Sequence, residues 1–203
     1  MKGAVLLSFL LFACRDERSA GSVSAKGAAI QSAPNQSEPT DKCVGHAGVT
    51  ISGNEVGSVR MGSTVQAVRA ACKVLRDSVD YNAEAIPERA IAVVVGADTI
   101  LAAIDSTGRV ARIEVTGTVF QTRDSLGVGT SFTRLAQIAE ATASELDGRL
   151  YVTAPSQCGI TFGMRYEGPE RLIAHMKASA LLGSVRPMRV DEVIVTGCSP
   201  KKY

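Results

Sequence analysis

The sequence predicts an α+β protein, a tandem repeat in which a helical segment packs on an antiparallel sheet. Three observations carry that expectation. Residues 59–75, VRMGSTVQAVRAACKVL, return in degraded form at residues 126–138, LGVGTSFTRLAQI. The overlay sets Gly62 on Gly129, Ser63 on Thr130, Thr64 on Ser131, Val65 on Phe132 and Val68 on Leu135, so small, hydroxyl and apolar positions agree. Each stretch is followed by a closing strand with the same ending, VARIEVTG at residues 110–117 and VDEVIVTG at residues 190–197. Between them lie runs rich in Val and Ile, broken by turn residues, which is the pattern of short strands.

Composition narrows the class. A chain of 203 residues makes one domain or two small ones. Its formal charge of +2 offers no basic field, which argues against a nucleic-acid partner. Aromatic residues are 4% of the chain and Trp is absent, so the core must rest on aliphatic side chains and no platform for stacking sugars or bases is expected.

Residues 1–14, MKGAVLLSFLLFAC, carry Lys2, an apolar run over residues 4–13 and a small residue before Cys14. This is the pattern of a secretory signal. The run falls short of the roughly 20 apolar residues that span a bilayer. Leu11-Phe12-Ala13-Cys14 resembles the bacterial lipobox, which implies that Cys14 is acylated and becomes the new amino terminus. The alternative is an ordinary cleaved signal with an incidental thiol. Residues 15–42 are rich in Ser, Ala, Gly, Pro and Gln without apolar periodicity, a composition expected of a disordered tether. Folding is expected from Cys43, with a first α+β repeat at residues 43–123, a second at 124–198 and a tail at 199–203.

In the first repeat, residues 49–51 form an extended entry and Gly53, Asn54 and Gly57 mark a turn. Ser63 with Gln66 fits a capping box. Val65, Val68, Cys72 and Leu75 then share one helical face. Residues 77–89 are polar and contain Pro87, and read as an irregular connection. Residues 91–95, 99–104 and 109–115 read as strands, with Asp105-Ser106-Thr107-Gly108 as a hairpin loop. In the second repeat, Gly127 and Gly129 precede a helix capped by Thr130 or Ser131, with Phe132, Leu135 and Ile138 as its apolar stripe. Residues 145–148 form a turn, and residues 149–153 and 159–166 are strands. Residues 169–182 are expected to be an extra helix, since Pro169 suits a first helical position and Leu172, Ile173, Met176, Ala180 and Leu181 give it an apolar face. Residues 190–195 close the sheet.

Four cysteines follow Cys14: Cys43, Cys72, Cys158 and Cys198. An even number in an exported chain favours disulfides, and three connectivities are possible. The preferred one joins Cys43 to Cys72 and Cys158 to Cys198. If the strand after Cys158 runs antiparallel beside the strand before Cys198, both cysteines reach the same edge of the sheet. No CxxC or close His partner suggests a metal.

No catalytic set emerges. Gly127-Val128-Gly129-Thr130-Ser131 imitates a phosphate loop but lacks the third Gly of the dinucleotide fingerprint and the Lys of the triphosphate loop, so a helix cap is the better reading. His46 and His175 are the only histidines and are expected on the surface. No Ser sits in a nucleophile elbow. Glu167, Glu170, Asp191 and Glu192 form an acidic patch of the kind that solvates a rim. No cofactor is expected.

Gly62-Ser63-Thr64-Val65-Gln66-Ala67-Val68 resembles the Gly-Met-Thr-x-x-x-Val helix entry of small outer-membrane assembly lipoproteins of the SmpA/OmlA (BamE) type. The tandem arrangement is similar to the beta-lactamase inhibitor protein, built of two such units. The resemblance implies joined sheets and a scaffold that presents an open sheet face to other proteins. The expectation for function is therefore a lipid-anchored, non-enzymatic module that binds another envelope protein, held at the outer membrane and facing the periplasm. A small-ligand or peptidoglycan-binding module is the alternative, and a hydrolase, signalled by His175 meeting a serine and an acid, is a further one.

Overall fold

The computed structural model describes Cys43 and residues 50–81, 86–167 and 175–198. The signal with Cys14, the tether, His46, Glu170, residues 169–174 of the expected extra helix and the tail lie outside these described residues.

The chain runs β1 (Ile51–Ser52), β2 (Glu55–Val56), β3 (Val59–Arg60), α1 (Val65–Ala71), β4 (Val74–Tyr81), β5 (Pro87–Val95), β6 (Asp98–Ile104) and β7 (Val110–Val115). It continues through α2 (Phe132–Ala136), β8 (Thr142–Leu146), β9 (Arg149–Thr153), β10 (Ile160–Arg165), β11 (Met176–Lys177) and β12 (Glu192–Val195). Strands β1 to β3 form a small antiparallel ribbon. The other nine form one antiparallel sheet in the order β11-β8-β9-β10-β12-β7-β6-β5-β4.

This corrects the expected fold class. The protein is mostly β, and it is not a tandem of helices packed on sheets. The two α-helices described have seven and five residues. At 1.5 Å rise per residue neither can cover a nine-stranded sheet as a layer. Helical periodicity in residues 59–75 was genuine only for Val65, Val68 and Cys72, and Leu75 already lies in β4.

Three further elements differ from expectation. Residues 77–89 form no irregular connection, because β4 runs to Tyr81 and β5 starts at Pro87. Pro87 is tolerated there as the first residue of its strand. Within the expected extra helix, the described part is β11 followed by a short 3-10 turn at Ala178–Leu181, because Met176 and Lys177 pair with Ala143 and Thr142 of β8. Strand β8 itself was not expected.

One face of the sheet is the core. Cross-strand partners stack Ile91, Ala102 and Ile113, then Val93, Ile100 and Val115, along β5, β6 and β7. The row continues through Val193 to Phe162, Val152 and Ala143. All of these are buried, together with Val56 and Val59 of the ribbon, Val68 of α1 and Leu135 of α2. Ribbon, helices and loops thus share the job of covering one face. Burying each Val, Ile, Leu or Phe of this set contributes about 2 kcal/mol.

The duplicated sequence survives as a repeated turn and cap. Gly62 and Gly129 have φ of +77° and +91°, which suits glycine. Their N–H groups donate to Val110 C=O and Val190 C=O, each at 2.8 Å. Val110 N–H donates to Ser63 C=O and Val190 N–H to Thr130 C=O, each at 2.9 Å. Thr64 Oγ1 then accepts from Ala67 N–H at 3.2 Å, and Ser131 Oγ from Arg134 N–H at 3.3 Å. The cap of α1 is therefore Thr64 and not Ser63. Ser63 is held by strand-like pairing to Val110, so the helix starts one residue later.

Both disulfides join the preferred partners. Cys43 and Cys72 are bonded with Cα atoms 4.8 Å apart, and Cys158 and Cys198 with Cα atoms 5.2 Å apart. The first is buried; Cys158 is exposed.

Candidate binding surface

The second face of the sheet carries side chains that alternate with the core set. Across its middle lie Ala90, Ala92, Leu101, Ala103, Arg112, Glu114, Ile194, Glu192, Gly163, Tyr151 and Ser144, by the registers of β5 to β10 and β12. Apart from the three alanines and Gly163, which form a buried floor, these side chains are half-exposed. The charged ones pair within the sheet. Arg112 meets Glu88 at 3.2 Å and Glu114 at 2.8 Å.

A second cluster is built around Arg149 of β9. Its Nη2 donates to Asp191 at 2.6 Å and to Glu192 of β12 at 3.0 Å. To reach β12 it must cross β10, and it does so above Gly163. A Cβ there would lie 3.1 Å from Glu192 Oε2, 3.3 Å from Arg149 Nη2 and 3.4 Å from the Tyr151 ring. Arg149 also lies over the Tyr151 ring, 6.0 Å from its centroid. Burial alone would lower the Arg149 pKa, but the carboxylates of Glu192 and Asp191 outweigh it and hold it above its ordinary value. Burial raises the Tyr151 phenol, against the pull of Arg149. Near neutral pH the pair therefore stays a fixed cation and a neutral hydroxyl.

The other expected groups are placed as follows. His175 Nδ1 lies 3.4 Å from Ser144 Oγ, and the same oxygen accepts from His175 N–H at 3.2 Å. Ser144 sits mid-strand and secures the start of β11, and the nearest acid of its strand, Glu145, accepts from Gly148 N–H instead. Of the acidic patch, Asp191 and Glu192 come together on Arg149, while Glu167 pairs separately with Arg186 at 3.5 Å. The Gly127 loop closes on itself through Gly127 N–H to Thr130 Oγ1 at 3.0 Å, and Ser131 caps α2. Among the described residues no three of His, Cys, Asp and Glu gather as metal ligands.

A shallow cleft of about 720 Å³ runs along the seam between the ribbon and β10. It is lined by Ile51, Asn54, Arg123, Asp124, Gln157 and Cys158 among others. Its polar groups are largely committed: Asn54 Oδ1 accepts from Cys198 N–H at 2.8 Å, and Asp124 from Gln157 Nε2 at 2.7 Å. The seam is tight, since a Cβ on Gly53 would fall 1.9 Å from Cys158 C=O.

Sequence reading missed Arg109 and Arg189. Each donates from Nη1 to the carbonyl of the positive-φ glycine, Gly62 or Gly129, at 2.8 Å. The signal was present as the repeated Arg-Val pair that opens both closing strands. It missed Arg149 as well, which nothing in the local pattern marks.

No family model matches the chain, and no curated protein matches it. Among solved structures it is similar to the crystal structure of the uncharacterized protein yfeY from Escherichia coli, at 20% identity with a TM-score of 0.53. The match covers 72% of this chain and 99% of that one. At that identity the likeness speaks for the fold alone.

Proposed function

We propose that this is an exported, lipid-anchored protein of the cell envelope that binds another envelope protein through the uncovered face of its nine-stranded sheet. The observation that carries the reading is the asymmetry of that sheet. One face is fully packed, while the other keeps Leu101, Ile194 and Tyr151 half-exposed among charged groups that pair within the sheet, with Arg149 Nε the one buried side-chain polar atom among the described residues that lacks a hydrogen-bond partner. Such a surface gives up little hydration of unpaired charge when covered. Two disulfides are compatible with export, and no described helix is long and apolar enough to cross a membrane. Attachment would then come through acyl chains on Cys14, each buried methylene adding about 0.8 kcal/mol. The role is non-enzymatic, with the outer membrane as the favoured site and the folded part in the periplasm. The test is partner capture from crosslinked envelopes, using Ile194→Arg and, as a control at an exposed hairpin position away from the face, Ser106→Arg. Recovery with the parent and Ser106→Arg but not with Ile194→Arg is expected. Equal recovery by all three removes the open face from the account. The seam cleft gives the second reading, a small polar ligand, which titration of the purified protein with muropeptides would reveal as shifts at Asn54 and Arg123.

A further inference from the structure

The two disulfides differ in what surrounds them. Cys43 and Cys72 are 6% and 2% exposed and belong to the core, and Cys72 N–H donates to Val68 C=O at 2.8 Å where α1 ends. Cys158 is exposed and Cys198 half-exposed, and both stand in the wall of the seam cleft. The bonds span 29 and 40 residues, separations too alike in closure entropy to set them apart. Access sets them apart, since a thiolate exchanges with a disulfide only where it reaches a sulfur.

We propose that Cys158–Cys198 is a thiol-exchange site whose opening by a dithiol loosens the seam cleft. One thiolate of the dithiol attacks Sγ of Cys158, the more exposed partner, and forms a mixed disulfide. The Cys158–Cys198 bond breaks, and its electron pair leaves on Cys198 Sγ, which takes a proton from water. The second thiol of the dithiol, as thiolate, then attacks its own sulfur in the mixed disulfide and expels Cys158. The dithiol is oxidised to a disulfide and the protein is reduced by two electrons to two thiols. What gives way is the contact with the ribbon. Asn54 Oδ1 accepts from Cys198 N–H at 2.8 Å, and a Cβ on Gly159 would fall 2.6 Å from Gly53 C=O and 2.7 Å from Cys198 N. Three stretches of backbone therefore meet at the bond with no room for a side chain. The sheet beneath is held by other means: Ile160 to Gly163 pair with Val195 to Glu192, and Thr196 N–H donates to Gly159 C=O at 3.0 Å. The site lies apart from the open face and needs no ligand in the cleft, so neither function proposed above stands or falls with it.

The experiment exposes the full chain in its own envelope to graded dithiothreitol, quenches with acid, alkylates the free thiols and maps them by mass. Cys158 and Cys198 should label at reductant concentrations about tenfold below those that open Cys43–Cys72, whose intact bond reports that the chain is still folded. Under excess glutathione, a monothiol, the first adduct should sit on Cys158. Reduced thioredoxin replaces dithiothreitol in a second arm: opening by both assigns a protein dithiol, and opening by dithiothreitol alone a small one. In the selectively reduced chain, hydrogen exchange at the Cys198 amide should rise several-fold while Val93 and Ile113 stay protected. Simultaneous opening of both bonds, or earlier opening of Cys43–Cys72, overturns the proposal. So does a first adduct on Cys198, or a Cys198 amide that exchanges as before.

Discussion

Asp105 shows how much one residue fixes at the tip of a hairpin. Its Oδ1 accepts from Thr107 N–H at 2.8 Å, from Thr107 Oγ1 at 2.7 Å and from Arg109 N–H at 2.9 Å. The bond from the Arg109 backbone, then that from the Thr107 hydroxyl, holds its carboxyl below the usual carboxylate range. A folded-state pKa below the unfolded one means that the stabilisation is present above the unfolded pKa and disappears as pH falls through the folded pKa. Asp105→Asn should therefore flatten the loss of stability below about pH 4. Thermal melts of both forms at pH 7 and pH 2.5 check this: the variant should lie below the parent at pH 7 and close to it at pH 2.5. The loop was legible in the sequence because Asp, Ser, Thr and Gly announce such turns. Arg149 was not, since its role depends on Gly163 leaving space one strand away.

The elements divide by how much local sequence decides them. Strands β5, β6, β7, β10 and β12 were readable because their Val, Ile and Phe alternate or cluster between turn residues. Strand β4 was missed because an edge strand need bury little, and VLRDSVDY is polar enough to look like a loop. Strand β8 was missed because Thr142, Ala143 and Ser144 are small and carry no strong period. The helices were expected too long, since Leu75 and Ile138 fit the helical spacing of their stripes but lie beyond the ends of α1 and α2. What remains of each helix depends on its cap. Thr64→Ala and Ser131→Ala should each cost about 1 kcal/mol. They touch no common partner, so the double variant should lose about the sum. Denaturant melts of the three variants decide this, and loss at one site only would mean that the two turns are not equivalent in energy.

At the scale of the whole molecule, the decisive fact is the join between β7 and β12, where Val193 pairs with Val115 and Val195 with Ile113. It turns two stretches of strand into one sheet with a single covered face; the tandem of α+β units was the wrong expectation at the helices, whose seven and five residues form no layer, although the sequence repeat was visible. The same join makes the other face continuous from Leu101 through Ile194 to Tyr151. That continuity is the basis of the proposed binding role, and side-chain footprinting tests it most directly. Leu101, Tyr151 and Ile194 should label readily in the purified protein and be protected at least several-fold in intact envelopes, while exposed Leu146 stays unchanged. Equal labelling of the three in both preparations would contradict a role for this face in binding an envelope partner.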